Sequence, residues 1–158
     1  MYMRKSVIDT PPVPASVQEG QWLNLEEIAS VQVTSEAADY PIESALGAGA
    51  TGEWRAAKAG EQVIRILFDH PVSVRRIHLR FLEGEQTRTQ EFVLRCAGAD
   101  GAPREVVRQQ WNFSPSGSTS QVEDYRVEIQ NVSVLELTIK PDINGGAAIA
   151  TLASLQLA

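Results

Sequence analysis

The chain has 158 residues, 43% hydrophobic and 22% charged, with a formal net charge of −6 and a pI near 4.9. That acidity excludes a general electrostatic grip on DNA or RNA, because such binding draws its affinity from phosphate neutralisation. The length suits one domain with a core of its own, and the single cysteine, Cys96, excludes an internal disulfide framework and fits a reducing compartment.

Residues 1 to 20 predict an extended arm, because Pro11, Pro12 and Pro14 lack backbone donors and turn their neighbours away from helix. Asp9 and these prolines stand where a secretion signal would need a long apolar run, so a cytoplasmic location is expected. No 18 apolar residues follow one another, and no membrane span is expected. Residues 21 to 158 predict a single domain.

In that domain Val31 and Val33 alternate with polar neighbours, which predicts a first strand near Ile28 to Ser35. Tyr40 to Leu46 (YPIESAL) fits one helical turn with proline near its start, where the missing donor costs nothing. A glycine-rich loop, GAGATG, then leads to Trp54 and Arg55. It lacks the Gly-Lys-Ser/Thr that a phosphate cradle requires. Gly60 to Glu83 carries the clearest pattern. Ile64, Ile66 and Phe68 alternate with Val63, Arg65 and Leu67, and after a turn at His70-Pro71, Ile77, Leu79 and Phe81 alternate with Arg76, His78 and Arg80. The period is two, so each segment is a half-buried strand.

Residues 83 to 90 read as a polar connection. Phe92, Leu94 and Cys96 then mark another strand, Ala99-Asp100-Gly101 a hairpin turn, and Arg104 to Phe113 the returning strand. After the loop SPSGSTSQ, Tyr125, Val127 and Ile129 alternate, followed by Leu135, Leu137 and Ile139. PDINGG turns the chain, and a strand over about 148 to 157 closes it. Roughly eight short strands with frequent turn signals predict an all-β antiparallel sandwich.

The order of these signals resembles the discoidin or coagulation factor 5/8 type C family, among the galactose-binding-like jelly rolls that include many carbohydrate-binding modules. The resemblance rests on VTSE (Val33 to Glu36) with YPIESAL, on Trp54 after the glycine loop, on GEQVIRILFDHPVSVRRIHL (Gly60 to Leu79), and on VLELTI with SLQLA at the end. It implies a jelly roll that recognises ligands with its loops, a core position for Trp54, and often a structural calcium. Here Gly47, Ala48, Gly49 and Ala50 occupy the loop where the family carries aspartates, and Ser154 stands at the likely position of an acidic residue in the final strand. Calcium needs several oxygen ligands, usually carboxylates, so no metal and no cofactor is expected.

No catalytic constellation emerges. His70 and His78 share no metal-ligand spacing. Ser116 lacks the strand-to-helix turn of a hydrolase serine. Glu83, Glu85, Glu91, Glu123 and Asp124 read as solvated carboxylates, and Cys96 as an inert core thiol. The chain is expected not to be an enzyme.

Aromatic and polar residues carry the functional reading. Arg55 on the glycine loop, Arg88 in the polar connection, and Trp111, Asn112 and Phe113 at a strand end are expected to converge at one loop end. Sugars stack their CH faces on aromatic rings while Arg and Asn bond the hydroxyls. The expected function is a non-catalytic, lectin-like module for a carbohydrate or similar polar ligand. The alternative is a protein-interaction module using the face around Arg65, Arg76, His78 and Arg80, or the proline-rich arm.

Overall fold

The computed structural model describes residues 22–47 and 52–158. The expected N-terminal arm, residues 1–20, and the centre of the glycine-rich loop, residues 48–51, lie outside the described residues. The described chain runs α1 (Leu25–Ile28), β1 (Ala29–Val33), α2 (Glu43–Leu46), β2 (Trp54–Arg55), β3 (Gln62–Leu82), β4 (Arg88–Ala97), β5 (Arg104–Phe113), β6 (Ser120–Lys140), β7 (Thr151–Leu152) and β8 (Ser154–Leu157).

Two 21-residue strands, β3 and β6, organise the fold. They pair antiparallel along most of their length, and both bend back midway. At the bend the register slips: Leu67 faces Val134, whereas Val72 already faces Val132, so β3 carries extra residues around Pro71. On β6 the reversal falls at Asn131, which takes a φ of 58°, a left-handed conformation that asparagine tolerates better than most side chains. The turn expected at His70-Pro71 is therefore a bend inside one continuous strand.

The bend makes two layers, as strands that switch sheets do at the corners of sandwiches. The first half of β3 pairs with β1 and with the second half of β6, which continues to β4 and β5. The second half of β3 pairs with β8 and the first half of β6. Ile64, Ile66, Ile77, Leu79, Phe81, Phe92, Leu94, Leu135, Leu137 and Ile139 are fully buried between the layers. Phe81 and Phe92 stack across the gap with ring centroids 5.4 Å apart. The alternate rows picked out by period two are thus the rows that meet.

The outer rows need a correction. Arg65 and the Arg76, His78, Arg80 row belong to different halves of β3 and face outward from opposite layers, so they form no common basic stripe. Arg65 is bonded by Glu136 and Gln32, and Arg76 makes a bidentate pair with Asp124 at 2.6 and 2.9 Å.

At the start of β3 a polar staple fixes the entry of the chain. Gln62, 1% exposed, accepts from the hydroxyls of Thr34 and Ser35 at 2.7 and 2.6 Å through Oε1. Glu36 then accepts from the amide of Ile42, which serves the otherwise unpaired start of α2. The small sheet β2–β7 pairs Trp54 with Leu152 and Arg55 with Thr151. Strand alternation sends Trp54 inward, fully buried, and Arg55 outward. The indole Nε1 donates to the carbonyl of Ser35 at 3.1 Å, so this tryptophan is core, as the family resemblance implied.

Candidate functional site

Strand pairing fixes which loops share an end. Leu82 faces Ser120, Arg88 faces Phe113, and Glu91 faces Lys140. Residues 83–87, 114–119 and 141–150 therefore emerge together. Arg55 joins them: its amide bonds the carbonyl of Tyr40, and the next amide, of Ala56, bonds the carbonyl of Ala150.

Between β2, residues 82–86 and residues 147–151 lies an open hollow of about 500 Å³. Its polar lining includes Glu53, Arg55, Glu83, Glu85 and Gln86, and its apolar lining includes Leu82 and Ile149. Leu82 is 41% exposed, one of few large apolar side chains left in water among the described residues. The Arg55 guanidinium sits 4.1 Å above the Tyr40 ring and donates from Nη2 to Glu53 at 2.7 Å. The bond to Glu53 holds the Arg55 pKa above its ordinary value, against desolvation and with further help from the fields of Glu53, Tyr40 and Glu85.

The five residues expected to converge do not all reach one surface. Arg55 lines the hollow. Arg88 lies beneath it, 3% exposed, and spans two of its loops: Nε donates to Glu83 at 2.7 Å and Nη1 to the carbonyl of Pro141 at 2.7 Å and to Gln90 at 3.2 Å. Phe113, 1% exposed, lies below Arg88, whose guanidinium is 4.8 Å from its ring centre. Trp111 is half-buried on the inner row of β5 and donates through Nε1 to Ser118 at 2.9 Å. Asn112 points the opposite way and accepts from Thr89 at 2.7 Å. Arg88 and Phe113 are thus brought together inside the molecule, while Trp111 and Asn112 stand on opposite faces of an edge strand.

Residues 83 to 90 are also not one connection, since β4 already begins at Arg88. Its inward row starts with Arg88 and Gln90, and a buried polar chain follows: Gln90 donates to Gln121 at 3.1 Å, and Gln121 to Glu123 at 2.8 Å. Period-two reading stops where the inward row turns polar, so this network had no hydrophobic signal. Glu83, half-buried, closes its outer end. One oxygen takes Arg88 and the other the amides of Glu85 and Gln86. Burial alone would raise the Glu83 carboxyl; the bonds from Arg88 and the two amides outweigh it and hold the pKa below the ordinary glutamate value.

The remaining candidates lie elsewhere. Glu91 is bonded by Arg108 and Gln110 on an outer face. Asp124 is bonded by Arg76 on the other, which lowers its pKa. His78 stands beside it, Nδ1 3.7 Å from Asp124 and its ring 6.1 Å from Trp22; His70 is exposed at the bend. The Ser116 hydroxyl lies 3.2 Å from that of Ser114 within their loop. Ser154, where the family resemblance expects an acidic residue, is a buried neutral hydroxyl, a poor match for the carboxylate donors of calcium. Among the described residues no three His, Cys, Asp or Glu side chains are placed to hold a metal, and no helix is long and apolar enough to cross a membrane.

No family model and no curated protein sequence matches the chain. Solved structures do. The family 32 carbohydrate-binding module of NanJ from C. perfringens, in complex with galactose, is 16% identical with a TM-score of 0.61 over 86% of this chain and 96% of that one. The family 32 module of AlyQ, in complex with 4,5-unsaturated mannuronic acid, is 15% identical with a TM-score of 0.60 over 83% and 95%. A pectin-binding module is 14% identical with a TM-score of 0.56 over 82% and 89%. The chain therefore shares the galactose-binding-like jelly-roll fold of these modules.

Proposed function

We propose that this chain is a non-catalytic carbohydrate-binding module that takes its ligand in the hollow at the loop end. The observation that carries the reading is the composition of that hollow: Arg55, Glu53, Glu85 and Gln86 supply donors and acceptors in one lining with the apolar Leu82 and Ile149. The polar side chains can bond hydroxyls while the apolar ones receive the CH face of a sugar ring. The sugars held by similarly folded modules support the same ligand class.

Arg55 is the contact residue of this reading. Trp111 and Asn112 extend the contact if the ligand continues across the edge of β5. Arg88 and Phe113 act from below, by holding residues 83–86 and Pro141 in place. Screening on a glycan array, followed by calorimetry of Arg55→Ala, tests the assignment. Binding by the parent chain and at least ten-fold weaker binding by the variant are expected; equal affinity of the two refutes it.

A further inference from the structure

Resting on the carbohydrate reading of the hollow, the charge pattern around Arg55 narrows the ligand. A hollow that clamped a uronic acid would offer its arginine to the incoming carboxylate, because the planar guanidinium fork pairs a carboxylate through two parallel bonds. Here one donor of that fork is already engaged. Nη2 of Arg55 already donates to Oε1 of Glu53 at 2.7 Å, and the guanidinium rests on the Tyr40 ring. Arg88, the other arginine of this end, is buried and bonded to Glu83 and the Pro141 carbonyl, so it presents no cation to the hollow. Glu85 adds a further carboxyl to the wall. Glu83 is matched by Arg88, so the wall is left with the carboxyl groups of Glu53 and Glu85 against the one guanidinium of Arg55.

We infer that the hollow selects neutral or amine-bearing sugars and rejects uronic acids, with Glu53 and Glu85 as the residues that determine this specificity. A uronate entering here must compete with Glu53 for Arg55 and approach both Glu53 and Glu85 with like charge. A sugar hydroxyl or ammonium instead donates to the free acceptor positions of the same carboxyl groups. Discrimination by repulsion of the wrong ligand is a general route to specificity.

The experiment titrates the full chain by calorimetry with matched trios in the gluco, galacto and manno configurations: neutral sugar, uronate and 2-amino sugar. In the configuration that binds, the uronate is expected to be roughly ten-fold weaker than the neutral sugar at low salt, the scale of one like-charge contact near a protein surface. Raising the salt should narrow the gap, because exposed charges are screened. Glu53→Gln and, separately, Glu85→Gln should each bring the uronate closer to the neutral sugar. Glu85 makes no side-chain hydrogen bond or ion pair among the described residues, so its variant tests the idea without disturbing the fold. A uronate that binds as tightly as the neutral sugar, or more tightly, overturns the specificity while leaving the carbohydrate reading intact. So does a gap that neither variant changes. No binding by any trio, or by the wider array, removes the carbohydrate reading itself, and the specificity with it.

Discussion

Arg88 and Glu83 form an ion pair of 2.7 Å in which the arginine side chain is 1% exposed and the glutamate 15%. The pair joins the first residue of β4 to the loop that precedes it, and the second donor of the same guanidinium reaches the Pro141 carbonyl at the start of the next wall. One side chain thus sets the separation of two segments that border the hollow.

Removing Arg88 should cost stability and affinity together. Arg88→Met leaves Glu83 without its buried partner, and breaking such a pair from one side costs about 3 kcal/mol or more. In a chain of this size that corresponds to a fall in Tm of roughly 6–12 °C. Arg88→Lys keeps the charge but cannot serve Glu83, Gln90 and Pro141 in one planar arrangement. It should lower Tm less and still weaken ligand binding. Calorimetry and thermal denaturation of both variants check this; an Arg88→Lys protein with unchanged affinity would show that the loop spacing does not govern the site.

Acid should act through the same carboxyl. The native pKa of Glu83 lies below its ordinary value of 4.5, so the unfolded chain binds the proton first as pH falls. The stabilisation is complete above that ordinary value and is lost as pH drops through the lower native one. Asp124, bonded by Arg76, behaves in the same sense from its ordinary 3.8, with a smaller effect because it is more exposed. Tm should therefore stay level between neutral pH and about pH 5 and then decline. Glu83→Gln should lie below the parent at neutral pH and converge with it in acid. Parallel Tm curves across the whole range would contradict the assignment.

How far the sequence could be read depended on what each inward row is made of. Ile64, Ile66, Phe68, Ile77, Leu79 and Phe81 show the strand period plainly, because apolar burial is a local pattern with a local signal. The sandwich follows from it. Arg88 and Gln90 occupy the same inward row of β4 as Phe92 and Leu94, but a polar residue is buried only when partners arrive from elsewhere, here Glu83, Gln121 and Pro141. Those partners lie as far as 53 residues away in the chain, so nothing near Arg88 distinguishes a buried arginine from one exposed on a loop. The outward course of the Arg55 side chain does follow from a local pattern, since alternation after an inward Trp54 sends the next side chain out.

Cys96 gives a direct test of the inner row of β4. It is 3% exposed, and burial pushes its thiol up to about 11, opposed only by the field of Arg104. Thiolate is the reactive form, so a disulfide reagent at pH 8 should label the native chain only as fast as it opens. Moderate urea should accelerate labelling sharply. Labelling at the rate of a free thiol would mean that β4 presents its other face inward.

Trp54 and Arg55, adjacent in β2, allow the fold and the site to be separated. Trp54 is fully buried and bonded to the Ser35 carbonyl. Trp54→Ala should cost about 3–5 kcal/mol through the cavity it leaves, whereas Trp54→Phe should cost about 1–3 kcal/mol through the unpaired carbonyl. Arg55 is half-exposed, and its pair with Glu53 is of the surface kind, so Arg55→Ala should change stability by no more than about 1 kcal/mol. Affinity should rank differently. Arg55→Ala removes the contact outright, while Trp54→Phe keeps Arg55 in place and retains most of the binding. If Trp54→Phe lost as much affinity as Arg55→Ala at a temperature where it remains folded, the indole and not the guanidinium would be the group on which recognition depends.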